Sequence, residues 1–270
     1  MKTSSQEIPE CLPEGESSIL RAKDLSLFYG EKAAFRGVNL EIEVGKITAL
    51  VGPSGCGKSS LLQSLNRLTD LIPGCRIEGE ITCCGADIHG PGTDLIALRR
   101  KVGLIFQKPS PFPFSIRKNL DFPLREHGIK RRTEREERIE QALRDVCLWE
   151  EVKDRLDSPA TALSGGQQQR LCVARALALE PEVLLLDEPC SALDPISSGA
   201  VEDLILGLRD RFTVVIVTHN LAQARRIADE VAFFWVEEDA GRLIERGPAE
   251  KVFESPKHEL TRSYLAGLRG

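Results

Sequence analysis

The chain has 270 residues, of which 41% are hydrophobic and 29% charged, and its formal net charge is −5. That length and composition fit a folded globular protein with a substantial core. The acidic balance provides no basic field for nucleic acid or an anionic membrane, and the longest apolar runs, such as Val231–Val236, are far too short to cross a bilayer.

Residues 1–18 are rich in Ser, Glu and Pro and lack an apolar h-region, so they read as a disordered tail rather than a secretory signal. From Ile19 to Gly52, short β runs are expected at Ser26–Tyr29, Gly37–Ile42 and Lys46–Val51. Leu61, Leu62, Leu65 and Leu68 then form the stripe of a helix packed on a sheet. Ile77–Ile88 reads as a strand pair, and Leu95–Lys101 as a short helix feeding the strand Val102–Phe106. The prolines of Lys108–Phe114 exclude helix and interior strand there. Ser115–Leu156 reads as helical and charged, with Lys130–Glu140 as a solvated face.

From Gly165 onward, helices and strands alternate. Val183–Leu186 and Phe212–Val217 are continuous apolar runs, as in parallel strands covered on both faces. Val201, Leu204, Ile205 and Leu208 form a helical stripe between them. The pattern predicts an α/β fold carrying a charged helical insert. The eight cysteines show neither a disulfide framework nor zinc spacing, so reduced thiols are expected.

Gly52-Pro53-Ser54-Gly55-Cys56-Gly57-Lys58-Ser59 fits the G-x-x-x-x-G-K-[ST] phosphate loop, and it sits between a strand and a helix as that loop requires. Its glycines let backbone N–H groups face phosphate oxygens. Lys58 supplies a mobile cation and the Ser59 hydroxyl a Mg²⁺ ligand. Cys56, among these donors at a helix start, is expected to have a lowered thiol pKa. Asp187 and Glu188 end a buried strand, where ligands of open α/β sheets bind. One acid there can hold Mg²⁺ while the other orients or deprotonates water. Gln107 and His219 also end apolar strands, which suits them to contact Mg²⁺ or water and a γ-phosphate respectively.

Ser164-Gly165-Gly166-Gln167 is an S-x-x-Q capping box, but two glycines in a first helical turn cost about 1 kcal/mol each against alanine. Close approach of the backbone to a phosphate explains both. The chain has a single phosphate loop, so that phosphate is assigned to a second copy of the chain.

Together these motifs resemble the ATP-binding cassette (ABC) ATPases from about Ile19 to the C-terminus. The resemblance implies a P-loop NTPase fold with an N-terminal antiparallel β subdomain. It implies a nucleotide-binding domain over 19–254, a helical subdomain at about 108–163 inserted in it, and a C-terminal helix over 255–270. Gly52–Ser59 and the following Ser60 resemble the Walker A region, and Leu163–Gln167 the signature. Asp187 and Glu188 resemble the Walker B pair, Ser191–Asp194 the D-loop and His219 the switch histidine. Gln107 resembles the Q-loop glutamine and Tyr29 the aromatic that stacks on adenine.

Catalytic roles are thereby implied for Glu188, His219, Gln107 and Lys58, and Mg²⁺ contacts for Ser59, Gln107 and Asp187. Two copies would sandwich ATP with Ser164, Gly165, Gly166, Gln167 and Asp194 facing the partner's nucleotide. The Q-loop region would couple to two integral-membrane permease subunits.

Leu65–Gly74, Phe106–Pro113, Ser164–Ala178, Ser191–Ser197 and Ala232–Phe234 resemble more closely the ATP-binding subunits of bacterial phosphate importers. That implies work at the cytoplasmic face of the cell membrane, served indirectly by an external phosphate-binding protein. Three departures stand out: Cys190 for the usual Thr or Ser, Phe114 for a basic or polar residue, and a longer hairpin between Val236 and Arg242. None of the three is expected to touch a phosphate or Mg²⁺ ligand. An importer of another small solute, such as a polar amino acid, is the alternative. A nucleic-acid ABC protein is disfavoured by the acidic charge, and a signalling role leaves no mark in the sequence.

Overall fold

A computed structural model describes residues 17–268. The expected tail at 1–18 lies outside them apart from its last two residues, and Ser18 already opens the first strand. β1 (Ser18–Tyr29) and β2 (Lys32–Glu43) form an antiparallel hairpin. Each is one long strand where short runs were expected. In β1 the charges that interrupt the apolar pattern, Lys23 and Asp24, fall at a register shift, and Asp24 turns left-handed (φ 47°). Such a bulge keeps the pairing going on either side.

β3 (Ile47–Val51) leads through the phosphate loop into α1 (Lys58–Ser64). Leu68, expected on that helix, instead starts a separate 3-10 turn, because Arg67 is left-handed (φ 59°). β4 (Cys75–Cys83) pairs with β1 and folds back into β5 (Ala86–Asp87). α2 (Leu95–Lys101), capped by Asp94, feeds β6 (Val102–Ile105).

The insert comprises α3 (Ile116–Glu126), α4 (Arg132–Asp145) and α5 (Trp149–Val152), broken at Gly128 (φ 84°) and Cys147 (φ 52°). α6 (Gly165–Leu177) leads back to the sheet. β7 (Val183–Asp187), α7 (Pro195–Gly207), β8 (Thr213–Val217), α8 (Leu221–Ile227), β9 (Glu230–Glu237) and β10 (Ala240–Pro248) follow. The chain ends in α9 (Ala249–Glu254) and α10 (Glu259–Leu265). α10 is shorter than the helix expected over 255–270: it starts after Pro256 with His258 as its cap and stops before Gly267 (φ 68°).

All strands join one 10-stranded sheet in the order β5-β4-β1-β2-β10-β9-β3-β8-β7-β6. The run from β9 to β6 is parallel. Its strands feed opposite faces alternately: Leu184, Leu186, Val214 and Ile216 enter one apolar cluster, and Val183, Leu185, Val215 and Val217 the other. Burial on both faces explains their unbroken apolar sequences. The carboxyl ends of β3, β8, β7 and β6 consequently lie side by side on one rim.

Lys130 and Arg131 precede α4, and from Arg132 to Glu140 its polar side chains are exposed or half-buried, with Ile139 turned into the core. Ile116, Leu120, Ile139 and Leu143 of the insert join the apolar cluster that holds Leu184 and Ile216 of the sheet, and ion pairs add to that packing. Arg211 donates to both Asp145 oxygens at 3.0 and 3.1 Å, and Arg138 donates to Glu180 at 2.7 Å. The described cysteines are all free thiols.

Candidate active site

The phosphate loop is moulded against the backbones of three strands. A Cβ on Gly52 (φ 144°) would fall 2.2 Å from the Phe234 carbonyl oxygen, and one on Gly57 (φ 83°) 2.7 Å from that of Ala34. From the other side, a Cβ on Gly241 would lie 2.0 Å from the Cys56 carbonyl oxygen. Glycine is therefore required at all three positions for close backbone approach.

Inside the loop, Lys58 Nζ donates to Gly52 O (2.8 Å), Pro53 O (2.7 Å) and Cys56 Sγ (3.4 Å). Cys56 is fully buried, and burial pushes its thiol pKa up despite Lys58 beside it. This overturns the lowered pKa expected from sequence: loss of water outweighs the neighbouring donors.

On the rim, Ser59 Oγ donates to Asp187 Oδ1 at 2.7 Å. Burial raises the Asp187 carboxyl above its ordinary value, with the Ser59 hydroxyl opposing. Glu188 turns left-handed (φ 45°), which sends its side chain away from that of Asp187. Its Oε2 accepts from Gln107 Nε2 at 3.1 Å and lies 3.2 Å from His219 Nδ1. Gln107 also donates to Ser191 Oγ at 3.1 Å. Thus Gln107, Glu188 and His219, which come from three strand ends, meet around one carboxylate.

A groove of about 770 Å³ runs along this rim, the size of a small-molecule site. Ser54, Gly55, Gly57, Lys58 and Ser59 form its floor. Tyr29 stands at one wall, its hydroxyl donating to Ser60 Oγ at 3.1 Å, and Glu188 stands at another. Lys32, Val236 and Asp239 also border it, and sequence reasoning missed all three. Val236 and Asp239 belong to the hairpin expected to lie clear of the phosphate chemistry. It reaches the groove through a tight turn with Glu238 and Asp239 both left-handed (φ 49° and 65°).

Residues 35–191 match the ABC transporter family. The chain belongs to that family. Similar proteins include the phosphate import ATP-binding protein PstB 1 of Nitrosococcus oceani, 58% identical over 98% of this chain and 95% of that protein. PstB of Corynebacterium efficiens is 52% identical over 94% of this chain and 100% of that protein. PstB 2 of Bacillus subtilis is 50% identical over 94% and 93%. Among solved structures, cbiO1 from Clostridium perfringens, part of the ABC transporter complex cbiONQ, has a TM-score of 0.74 at 29% identity, covering 94% of this chain and 96% of that one.

In this ABC transporter ATPase the signature opens α6. Ser164 Oγ accepts from Gln167 N (3.3 Å), and Gln167 Oε1 accepts from Ser164 N (3.0 Å), closing the capping box. Gln167 Nε2 also donates to Glu151 Oε2 at 2.6 Å, and Glu151 pairs with Arg170 at 2.8 Å. Glu151 thus steadies the signature across a loop, a contact that no local pattern announces.

Gly165 is exposed, whereas Gly166 is buried: a Cβ there would fall 2.8 Å from both Ser197 Cβ and Oγ of α7. Packing within the chain is therefore a second reason for glycine at 166, beside the approach to phosphate expected from sequence. Asp194 accepts from Ile196 N (3.0 Å) and Ser197 N (3.1 Å), so its carboxylate caps α7. Neither Ser164–Gln167 nor Asp194 lines the groove that the phosphate loop forms. Of the other departures, Cys190 is half-buried, its thiol pushed up to about 11 by burial, and Phe114 joins exposed Phe122 and half-buried Phe112 in a triangle of rings.

Proposed function

We propose that this chain is the ATP-hydrolysing subunit of an importer of inorganic phosphate, acting as two copies on two permeases at the cytoplasmic face of the cell membrane. An external phosphate-binding protein delivers cargo and touches the ATPase only indirectly. One observation carries the two-copy reading: the phosphate loop and the signature belong to one chain, yet the signature contributes nothing to that chain's own groove. Two facing copies complete both sites, each placing Ser164 and Gly165 against the other's ATP. Phosphate as cargo rests on relatives 50–58% identical over nearly the whole chain and named for phosphate import.

Tyr29 is suited to stack on the adenine, and the loop N–H groups from Gly55 to Ser60 to grip the phosphates. Lys58 exchanges neutral acceptors for an anionic one, a stronger hydrogen bond. Ser59 and Asp187 present hard oxygens 2.7 Å apart, a donor set suited to Mg²⁺, with the Gln107 amide available from the neighbouring strand end. Bound there, Mg²⁺ would neutralise charge on the β- and γ-phosphate oxygens. Glu188 orients the attacking water and takes its proton, while Gln107 and His219 fix the carboxylate.

Beside the Gln107 loop, a cleft of about 190 Å³ is lined by Arg99, Arg100, Lys108, Arg175, Phe106 and Phe112. Its mixed basic and aromatic walls suit an acidic, partly apolar permease segment. The helices between 108 and 163 then act as the moving subdomain of a domain spanning 19–254.

Reconstitution with the permeases in vesicles tests the cargo. ATP-dependent uptake of labelled phosphate is expected; uptake of a polar amino acid in its place refutes the assignment.

A further inference from the structure

Helix α6 grips the loop that carries Gln107 along one stripe of residues three apart. Gln169 Nε2 donates to the Phe106 carbonyl at 3.4 Å, and Cys172 lines the same cleft as Ser110. Arg175 Nη1 donates to the Ser110 carbonyl at 3.1 Å and lies 4.3 Å from the centre of the Phe112 ring. Residues at this spacing share a helix face. Gln107 follows Phe106 directly and donates to Glu188. The signature helix is therefore one backbone residue away from the amide that touches the hydrolytic carboxylate.

Within this stripe Gln169 is anomalous. It is fully buried, its one hydrogen bond is long, and its Oε1 has no partner. Buried amide oxygens are seldom left unpaired. If space-filling were the only demand, an apolar side chain of similar length would meet it without an orphaned acceptor.

We propose that Gln169 is a positioning residue for ATP hydrolysis, a two-state latch between the signature helix and the Gln107 loop. When α6 is drawn onto the ATP of a partner copy, the free Oε1 takes a backbone N–H of residues 107–108. This pins the Gln107 loop, whose amide already lies 3.1 Å from Glu188, so that the contact is held rather than transient once the copies have closed. The latch rests on the two-copy reading above.

Gln169→Met keeps length and volume but removes both amide atoms. It is expected to keep the thermal midpoint at or above wild type, leave KM for ATP within about twofold and lower kcat roughly tenfold, the signature of an interaction made only beyond the ground state. Unchanged kcat overturns the latch. So does a loss accompanied by a lowered midpoint and a raised KM, which marks a merely structural role. Hydrogen exchange on the wild-type chain is independent of how the variant folds. Amides 107–108 should gain protection with a non-hydrolysable ATP analogue, and unchanged exchange there overturns the latch. A wild-type chain without ATP turnover refutes the functional reading itself and the latch with it, whereas normal turnover with an unaffected variant refutes the latch alone.

Discussion

Replacing Gly241 by alanine asks whether the phosphate loop is held in place from behind by β10. The added Cβ would lie 2.0 Å from the Cys56 carbonyl oxygen, 2.8 Å from its carbon and 3.1 Å from the Ala34 oxygen. Real Cβ atoms stay beyond 3.0 Å, so loop or strand must shift by about 1 Å. The loop has little room to yield, because Gly52 abuts Phe234 and Gly57 abuts Ala34.

Overpacking of this kind costs about 1–3 kcal/mol, a drop in thermal midpoint of about 2–5 °C for a chain of this size. A displacement near 1 Å at a reacting group is worth on the order of 100-fold in rate. Gly241→Ala should therefore lower kcat/KM by roughly 100-fold, chiefly by weakening ATP binding as read by fluorescent-nucleotide titration. Gly207→Ala is the comparison: it lies at the exposed end of α7 with nothing within 4 Å. It should gain up to about 1 kcal/mol and leave ATP binding alone. If Gly241→Ala binds ATP normally and melts with wild type, the loop is not braced as described.

Glu188→Gln should retain ATP binding, slow hydrolysis at least about 100-fold and trap an ATP-bound dimer visible by size exclusion; normal turnover excludes Glu188 as the proton acceptor. At Asp187 burial raises the folded-state pKa, so the folded chain holds that proton more tightly and stability falls as pH rises through the raised value. Asp187→Asn should therefore melt higher than wild type at neutral pH without nucleotide, the gap closing toward about pH 4, while Mg²⁺-dependent ATP binding is lost. An equal or lower midpoint at neutral pH contradicts this. Maleimide on the native chain should label exposed Cys147 and spare buried Cys56, as read by peptide mass mapping; native labelling of Cys56 refutes its burial. Glu151→Ala should leave the fold intact and reduce turnover several-fold by freeing Gln167 and Arg170, and unchanged turnover would show that this brace is dispensable.

The rim was legible in the sequence because its parts are local: a strand, a glycine-rich turn and a helix for phosphate, and apolar strands ending in Gln107, Asp187-Glu188 and His219. Parallel pairing of those strands brings their ends together whatever the connections contain. What escaped the sequence was contact between distant segments. Gly241 follows a hairpin turn, and only the fold puts it behind Cys56, some 185 residues earlier in the chain. Glycine at 166 reads from sequence as close approach to a phosphate, and its packing against Ser197 is visible only in the fold. The Cys56 expectation failed for a related reason: neighbouring donors are visible in a motif, whereas burial is a property of the whole chain.

Gln107, Glu188 and His219 hang from one rim of one continuous sheet, while the helices from α3 to α5 pack beside it on the apolar core and reach Arg211 and Glu180 through ion pairs. On the proposed function, the engine and its coupling to a permease therefore occupy different surfaces, and exchanging Arg99, Arg100 or Arg175 in the cleft would retune which membrane machine is driven without redesigning what burns the fuel.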